Sequence, residues 1–129
     1  MGPKHFLNFE KISNQEFVSI IERGIELKNS NETEKTLKGK ILGLVFEQPS
    51  TRTRVSFEVG INNLGGSSIF LSGSELQLSR GEPISDTAKV LSSMLDVIVL
   101  RTDNHEKLEI FSQNSSVPII NGLTNLFHP

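Results

Sequence analysis

Ile41-Leu42-Gly43-Leu44-Val45-Phe46 and Val97-Ile98-Val99-Leu100 are runs of strand length without one polar side chain, so neither can turn a face to water. A strand with one wet face alternates apolar and polar residues. An uninterrupted apolar run is buried on both faces, as in a parallel sheet covered by helices. Helix-like patterns lie between the runs, and parallel strands need such crossovers. The reading is an α/β fold: a three-layer doubly wound domain with a central parallel sheet of about four strands flanked by helices.

Local signals order the elements. Ser13 suits the N-cap of a helix over 14–27, where Phe17, Ile20, Ile21, Ile25 and Leu27 fall close to a helical period. Residues 29–39 are polar and charged and read as a loop. A strand over 40–46 precedes a helix over 53–64, which Gly65-Gly66 terminates. A strand over 67–71 follows, and residues 72–82 show no period and read as a loop. Pro83 suits a helix start, with Ala88, Val90, Leu91, Met94 and Leu95 as the buried face. A strand over 96–101, a short helix over 106–113 and a strand over 117–120 complete the pattern, with Asn121-Gly122 turning out of the last strand. No helix follows that strand, so the chain of 129 residues reads as one domain cut from something longer. Its size is enough for a real core.

In an open α/β sheet, ligands bind beyond the carboxyl ends of the strands. Ser50-Thr51-Arg52-Thr53-Arg54 stands where the first buried strand hands over to a helix. The first helical turn leaves N–H groups without partners and carries partial positive charge, so it draws anions. Arg52 can add a charge-assisted grip on phosphate oxygens. The strand over 96–101 ends in Arg101-Thr102, and the last strand leads to His128, so the fold brings these residues to one rim. Together they read as a socket for a phosphorylated small molecule.

Bulk properties narrow the partner. A formal net charge of -2 argues against a general nucleic-acid binder and leaves an anion to a few local arginines. The absence of cysteine excludes disulfides and thiolate metal sites. No stretch is apolar enough to span a bilayer and no secretory signal is visible, so no membrane partner is expected and the compartment is expected to be cytoplasmic. No Gly-x-Gly-x-x-Gly follows the first strand, which argues against a dinucleotide site.

Each candidate also has a plainer reading. Ser50–Arg54 fits an N-cap followed by solvated arginines, and Arg54 can pair with Glu58 at i,i+4. Arg101 fits a strand-end surface charge, His128 a solvated loop histidine and Gln77 a surface amide. Glu82 and Asp86 read as complements to a helix dipole. His5 and His105 read as solvated loop histidines.

Phe46-Glu47-Gln48-Pro49-Ser50-Thr51-Arg52-Thr53-Arg54-Val55-Ser56-Phe57-Glu58 resembles the carbamoyl-phosphate signature of the aspartate/ornithine carbamoyltransferase family. The likeness continues through Leu64-Gly65-Gly66, Leu76–Ile84, Asp86-Thr87, Arg101-Thr102 and Val117–Pro129, nearly everything after about Lys40. Gln77-Leu78-Ser79-Arg80-Gly81-Glu82-Pro83 and Asn121-Gly122-Leu123-Thr124-Asn125 are similar to the ornithine branch; the aspartate branch carries a serine and a lysine in the first of these loops. The resemblance implies carbamoyl transfer from carbamoyl phosphate to the δ-amine of ornithine, giving citrulline and phosphate. It implies that Ser50, Thr51, Arg52 and Thr53 bind the phosphate, that Arg101 bridges phosphate and carbamoyl oxygen, and that His128 bonds the carbamoyl carbonyl. Arg101 and His128 are the catalytic residues on this basis. Gln77 is implied to reach a neighbouring subunit's site, because the family builds catalytic homotrimers. No metal or organic cofactor is implied. The family's amino-acid-binding second domain and C-terminal helix have no counterpart here, so the chain resembles the carbamoyl-phosphate domain alone, with weak ligand binding and no turnover expected of it. Two alternatives stay open: an isolated non-catalytic phosphate or carbamoyl-phosphate-binding module, and a transferase for another amine such as putrescine or aspartate.

Overall fold

The chain forms a helix, α1 (Asn14–Asn29), then the apolar run as β1 (Ile41–Phe46), in a computed structural model that describes residues 2–30, 35–73 and 83–129. Next come α2 (Thr51–Asn63), β2 (Ser67–Ser72), α3 (Ile84–Met94), β3 (Val97–Arg101), α4 (His105–Gln113) and β4 (Ile119–Leu123). The strands are all parallel, in the order β2-β1-β3-β4. The chain moves from β1 out to β2, then crosses back over β1 to β3 and out to β4. That reversal opens a crevice beyond the carboxyl ends of β1 and β3, where ligands bind in doubly wound sheets. Asp96 pins the entry to the crevice strands: its Oδ2 accepts the Ile41 N–H at 2.8 Å and its own N–H donates to the Ile41 carbonyl at 2.9 Å.

Both faces of the central strands β1 and β3 are covered, which is why their apolar runs have no polar side. Leu42, Leu44, Phe46 and Val99 pack with Phe57 and Ile61 of α2. Val45, Ile98, Leu100 and Ile119 meet Ala88 and Leu91 of α3 and Leu108 and Phe111 of α4. Gly43 lets the end of α3 close on β1, because a Cβ there would collide with the Leu95 side chain. The fold is the three-layer parallel α/β arrangement expected from the apolar runs.

Several local expectations give way. Val90 and Met94 are not part of the buried face of α3; they are 54% and 63% exposed. At 3.6 residues per turn they stand about 200° and 240° around the helix from buried Ala88, whereas Ile84, Ser92 and Leu95 return close to it. β4 does not end at Asn121-Gly122 but runs through that pair to Leu123. α2 starts at Thr51 rather than Thr53, which puts Thr51 and Arg52 in its first turn. The loop expected over 72–82 lies outside the described residues from position 74, and with it Gln77 and Glu82.

The N-terminal segment runs along the outer edge of β4. Phe6 bridges Ile120 in parallel, donating to the Ile119 carbonyl and accepting from the Asn121 N–H, both at 2.8 Å. An unpaired sheet edge is thereby closed. α1 has no buried residue: Phe17, Ile20, Ile21 and Ile25 are exposed despite their helical spacing. Its ties to the rest of the chain include an edge-on contact of Phe17 with Phe9 and a Lys4–Glu16 ion pair at 2.9 Å.

Neither His5 nor His105 is a solvated loop histidine. His105 opens α4 and is 5% exposed, because its ring packs edge-on against Phe127. His5 is half-buried, and its Nδ1 accepts the Ile119 N–H at 2.9 Å. Burial holds the His5 imidazole below its ordinary pKa of 6.5. Protonation would set a donor against the Ile119 donor. Because the unfolded chain takes up that proton first, this contribution to stability is complete above pH 6.5 and is lost as pH falls through the lowered value. Urea unfolding is expected to show this loss on acidification, and His5→Leu to make the stability curve flatter below pH 6.5 than that of the wild type. Identical curves for the two chains would remove His5 as the cause.

Candidate functional site

Ser50 is extended and caps α2, its Oγ accepting the Thr53 N–H at 3.3 Å. The N–H groups of Thr51 and Arg52 therefore project beyond the helix end without an intrahelical acceptor. Arg52 is exposed, while Arg54 is turned aside. The Arg54 guanidinium lies 3.7 Å from the Phe70 ring centroid, and its Nε is 3.5 Å from Glu58, the pairing that the i,i+4 spacing allows. Arg54 thus braces α2 against β2.

Glu47, at the exit of β1, ties that loop to the neighbouring strand. Its N–H donates to the Arg101 carbonyl at 2.8 Å, and its carboxylate accepts from the Thr102 hydroxyl. Lys107 of α4 lies 3.4 Å from both carboxylate oxygens. The one negative charge in this loop is therefore countered by a neighbouring ammonium and not by the arginines.

Arg101 ends β3 and reaches across the crevice. Its Nη1 donates to the Gly122 carbonyl at 3.1 Å and to Thr53 Oγ1 at 3.4 Å. Its Nε is buried with no hydrogen-bond partner among the described residues. Leaving a buried donor unsatisfied costs about 1–3 kcal/mol, and more for a charged group, so the fixed position of this guanidinium is held against a local penalty. The carbonyl that Arg101 uses is presented by an irregularity in β4. Leu100 faces Asn121 and Arg101 faces Leu123, so Gly122 is the extra residue. A Cβ on Gly122 would stand 2.8 Å from Val99 Cγ1. Leu123 then takes φ 136°, a region that favours glycine, and the Asn121 side chain holds it there by accepting the Leu123 N–H at 2.8 Å.

His128 is exposed and lines one cleft with Arg52, Thr53, Ser56, Phe57 and Asn121. Four of the candidates, Arg52, Thr53, Arg101 and His128, therefore gather at the carboxyl-end rim, with Ser50 and Thr51 at the adjoining helix head. Gln77 lies outside the described residues. Sequence reasoning missed Asn121, which is only 3% exposed. Its Nδ2 donates to the Leu7 carbonyl at 2.9 Å and to the Phe127 carbonyl at 3.0 Å, so it ties the chain before His128 to the N-terminal segment. Nothing in an isolated Asn-Gly pair distinguishes this from a turn.

Residues 4–129 match the family model described as aspartate/ornithine carbamoyltransferase, carbamoyl-P binding domain. The chain belongs to this family. It is 57% identical over 129 residues to an ornithine carbamoyltransferase of Methylococcus capsulatus, covering all of this chain and 43% of that protein. The crystal structure of an anabolic ornithine carbamoyltransferase from Campylobacter jejuni superposes with a TM-score of 0.93 at 45% identity, over 98% of this chain and 41% of that one. An ornithine carbamoyltransferase from Pyrococcus furiosus gives the same TM-score at 38% identity, over 99% and 42% of the two chains. The chain thus spans less than half the length of these relatives.

The bulge geometry makes a contrast among glycines measurable. Gly122→Ala is expected to destabilise the domain by about 1–3 kcal/mol, because the added carbon enters a packed core. Gly60→Ala in α2, where a Cβ meets nothing within 4 Å, is expected to stabilise by about 0.5–1 kcal/mol. Urea midpoints at constant slope read both; equal shifts for the two variants would show that the bulge tolerates a side chain.

Proposed function

We propose that this chain supplies the carbamoyl-phosphate half of an ornithine carbamoyltransferase active site, and that a further region of a longer parent supplies the ornithine half. The observation that carries this reading is Arg101, bonded at once to Thr53 at the head of α2 and to the Gly122 carbonyl of β4, beside the cleft that Arg52 and His128 line. On this reading the phosphate docks on the N–H groups at the start of α2, helped by the hydroxyls of Ser50, Thr51 and Thr53 and by Arg52. Arg101 spans phosphate and carbamoyl oxygen, and His128 bonds the carbamoyl carbonyl.

The uncharged δ-amine of ornithine then attacks the carbamoyl carbon. A C–N bond forms, the C–O bond to phosphate breaks with its electron pair going to the phosphate, and the proton that the amine gives up passes to that phosphate. Negative charge grows on the carbonyl oxygen and the leaving phosphate, where Arg52, Arg101 and His128 offer donors. Holding the amine near the carbon falls to the region beyond this chain. Ornithine is supported as the acceptor by the names of the relatives, and the half-site role by the 43% coverage of the Methylococcus capsulatus protein. A cytoplasmic homotrimer, with Gln77 of one subunit completing its neighbour's site, belongs to the same proposal.

Calorimetric titration with carbamoyl phosphate tests the socket. Arg52→Ala should weaken binding by about 1.5–3 kcal/mol, the range for hydrogen bonds to charged groups. Unchanged affinity in a folded variant would refute the assignment. For the assembled parent, mixing Arg52→Ala subunits with Gln77→Ala subunits should restore part of the citrulline-forming activity that each lacks alone. Verified mixed oligomers without rescue would confine each site to a single subunit.

A further inference from the structure

His105 belongs to no element of the proposed chemistry, yet it is buried and fully engaged with the turn that leads to His128. Its backbone N–H donates to Asn125 Oδ1 at 2.9 Å, its ring Nδ1 lies 2.9 Å from Thr124 Oγ1, and its ring packs at 64° on Phe127 with centroids 5.1 Å apart. For a neutral ring, the tautomer follows from the bonds around Thr124. That hydroxyl oxygen already accepts the N–H groups of Leu126 and Phe127, each at 3.2 Å. Two lone pairs are thereby used, and the single hydroxyl proton is left to donate. Its nearer acceptor is His105 Nδ1, since the Phe127 carbonyl is 3.4 Å away. The ring proton accordingly stands on Nε2, on the side of Glu109 Oε1 at 3.6 Å. His105, Thr124 and the two following N–H groups form one chain of directed bonds that ends next to His128.

We propose that His105 is a positioning residue: through Thr124 and Phe127 it fixes the 124–127 turn and so aims His128 at the carbamoyl end of the ligand. The proposal rests on the carbamoyl-phosphate reading of the site. It separates two parts of the cleft that differ in support. The phosphate cradle is built on α2 and the end of β3, and the bonds of Ser50, Thr53 and Arg101 run to one another and to Gly122 rather than to residues 124–127, whereas the group reserved for the carbamoyl carbonyl hangs from that turn. Loosening the turn should erase preference for the carbamoyl ester over phosphate without weakening phosphate binding itself.

The test is calorimetric titration of the chain with carbamoyl phosphate and, separately, inorganic phosphate, for wild type, His105→Ala, His105→Asn and Thr124→Val. His105→Ala is expected to lower the ratio of carbamoyl phosphate to phosphate affinity by about fivefold, the loss of one hydrogen bond's net worth, with phosphate affinity unchanged. His105→Asn, whose side-chain oxygen can accept from Thr124, should recover part of the ratio, and Thr124→Val should reproduce the loss in a chain that keeps the imidazole. A long-range proton–nitrogen NMR spectrum of the wild type should show His105 with an unprotonated Nδ1. An intact ratio in folded His105→Ala or Thr124→Val, or a parallel fall of both affinities, overturns the positioning role. A wild type that binds both compounds equally overturns the carbamoyl-phosphate reading instead, and the positioning role with it.

Discussion

Thr53 and Arg101 stand 48 residues apart in the chain and meet only because β1 and β3 are neighbours in the sheet. Everything at the rim depends on that adjacency. Had β3 paired on the far side of β2, the head of α2 and the end of β3 would be separated by a strand's width, and one guanidinium could not touch both. The adjacency is secured well below the rim. Gly43 admits Leu95 at the back of β1, and Asp96 exchanges two hydrogen bonds with Ile41 where β1 begins. Residues without any chemistry of their own thus set the geometry in which the arginines act.

The parts of this architecture that are legible from sequence are those for which an alternative is physically closed. Ile41–Phe46 and Val97–Leu100 have no polar face, so a parallel, doubly covered sheet was the only economical reading, and the strand ends then predicted the gathering of Thr53, Arg101 and His128. Where sequence reasoning failed, the deciding partner lay elsewhere in the chain. Asn121-Gly122 carries a strong turn signal, but the Asn121 amide is satisfied by Leu7 and Phe127, and β4 passes straight through. His105 looked like a surface histidine because Thr124, 19 residues later, supplies its partner. Val90 and Met94 are apolar and near the right spacing, yet the phase of α3 is set by Ala88 and Leu95 meeting β1, and those two side chains fall on the other side.

The N-terminal segment shows the same dependence in the opposite direction. Phe6 pairs with β4 and Leu7 accepts from Asn121, so residues that precede α1 brace the turn that carries His128. A histidine at position 5 takes the place of a backbone acceptor for Ile119. The edge of the sheet and the rim of the site are therefore one mechanical unit, and the bulge at Gly122 is where they join.

That unit explains why position 101 suits arginine and not lysine. One nitrogen of the side chain is already committed to Thr53 and Gly122, which locks the plane of the guanidinium relative to α2 and β4. A planar fork can brace the protein with one N–H group and still present others in fixed directions. An ammonium concentrates its donors on a single rotating centre, so bonds made to Thr53 and Gly122 would be taken from the ligand proposed for this rim. On the proposed carbamoyl-phosphate reading, the net charge of -2 gives a phosphate no overall attraction, which leaves the pull to donors whose directions are settled before the anion arrives. The bulge, the strained Leu123 and the buried Nε of Arg101 are the structural cost of settling them.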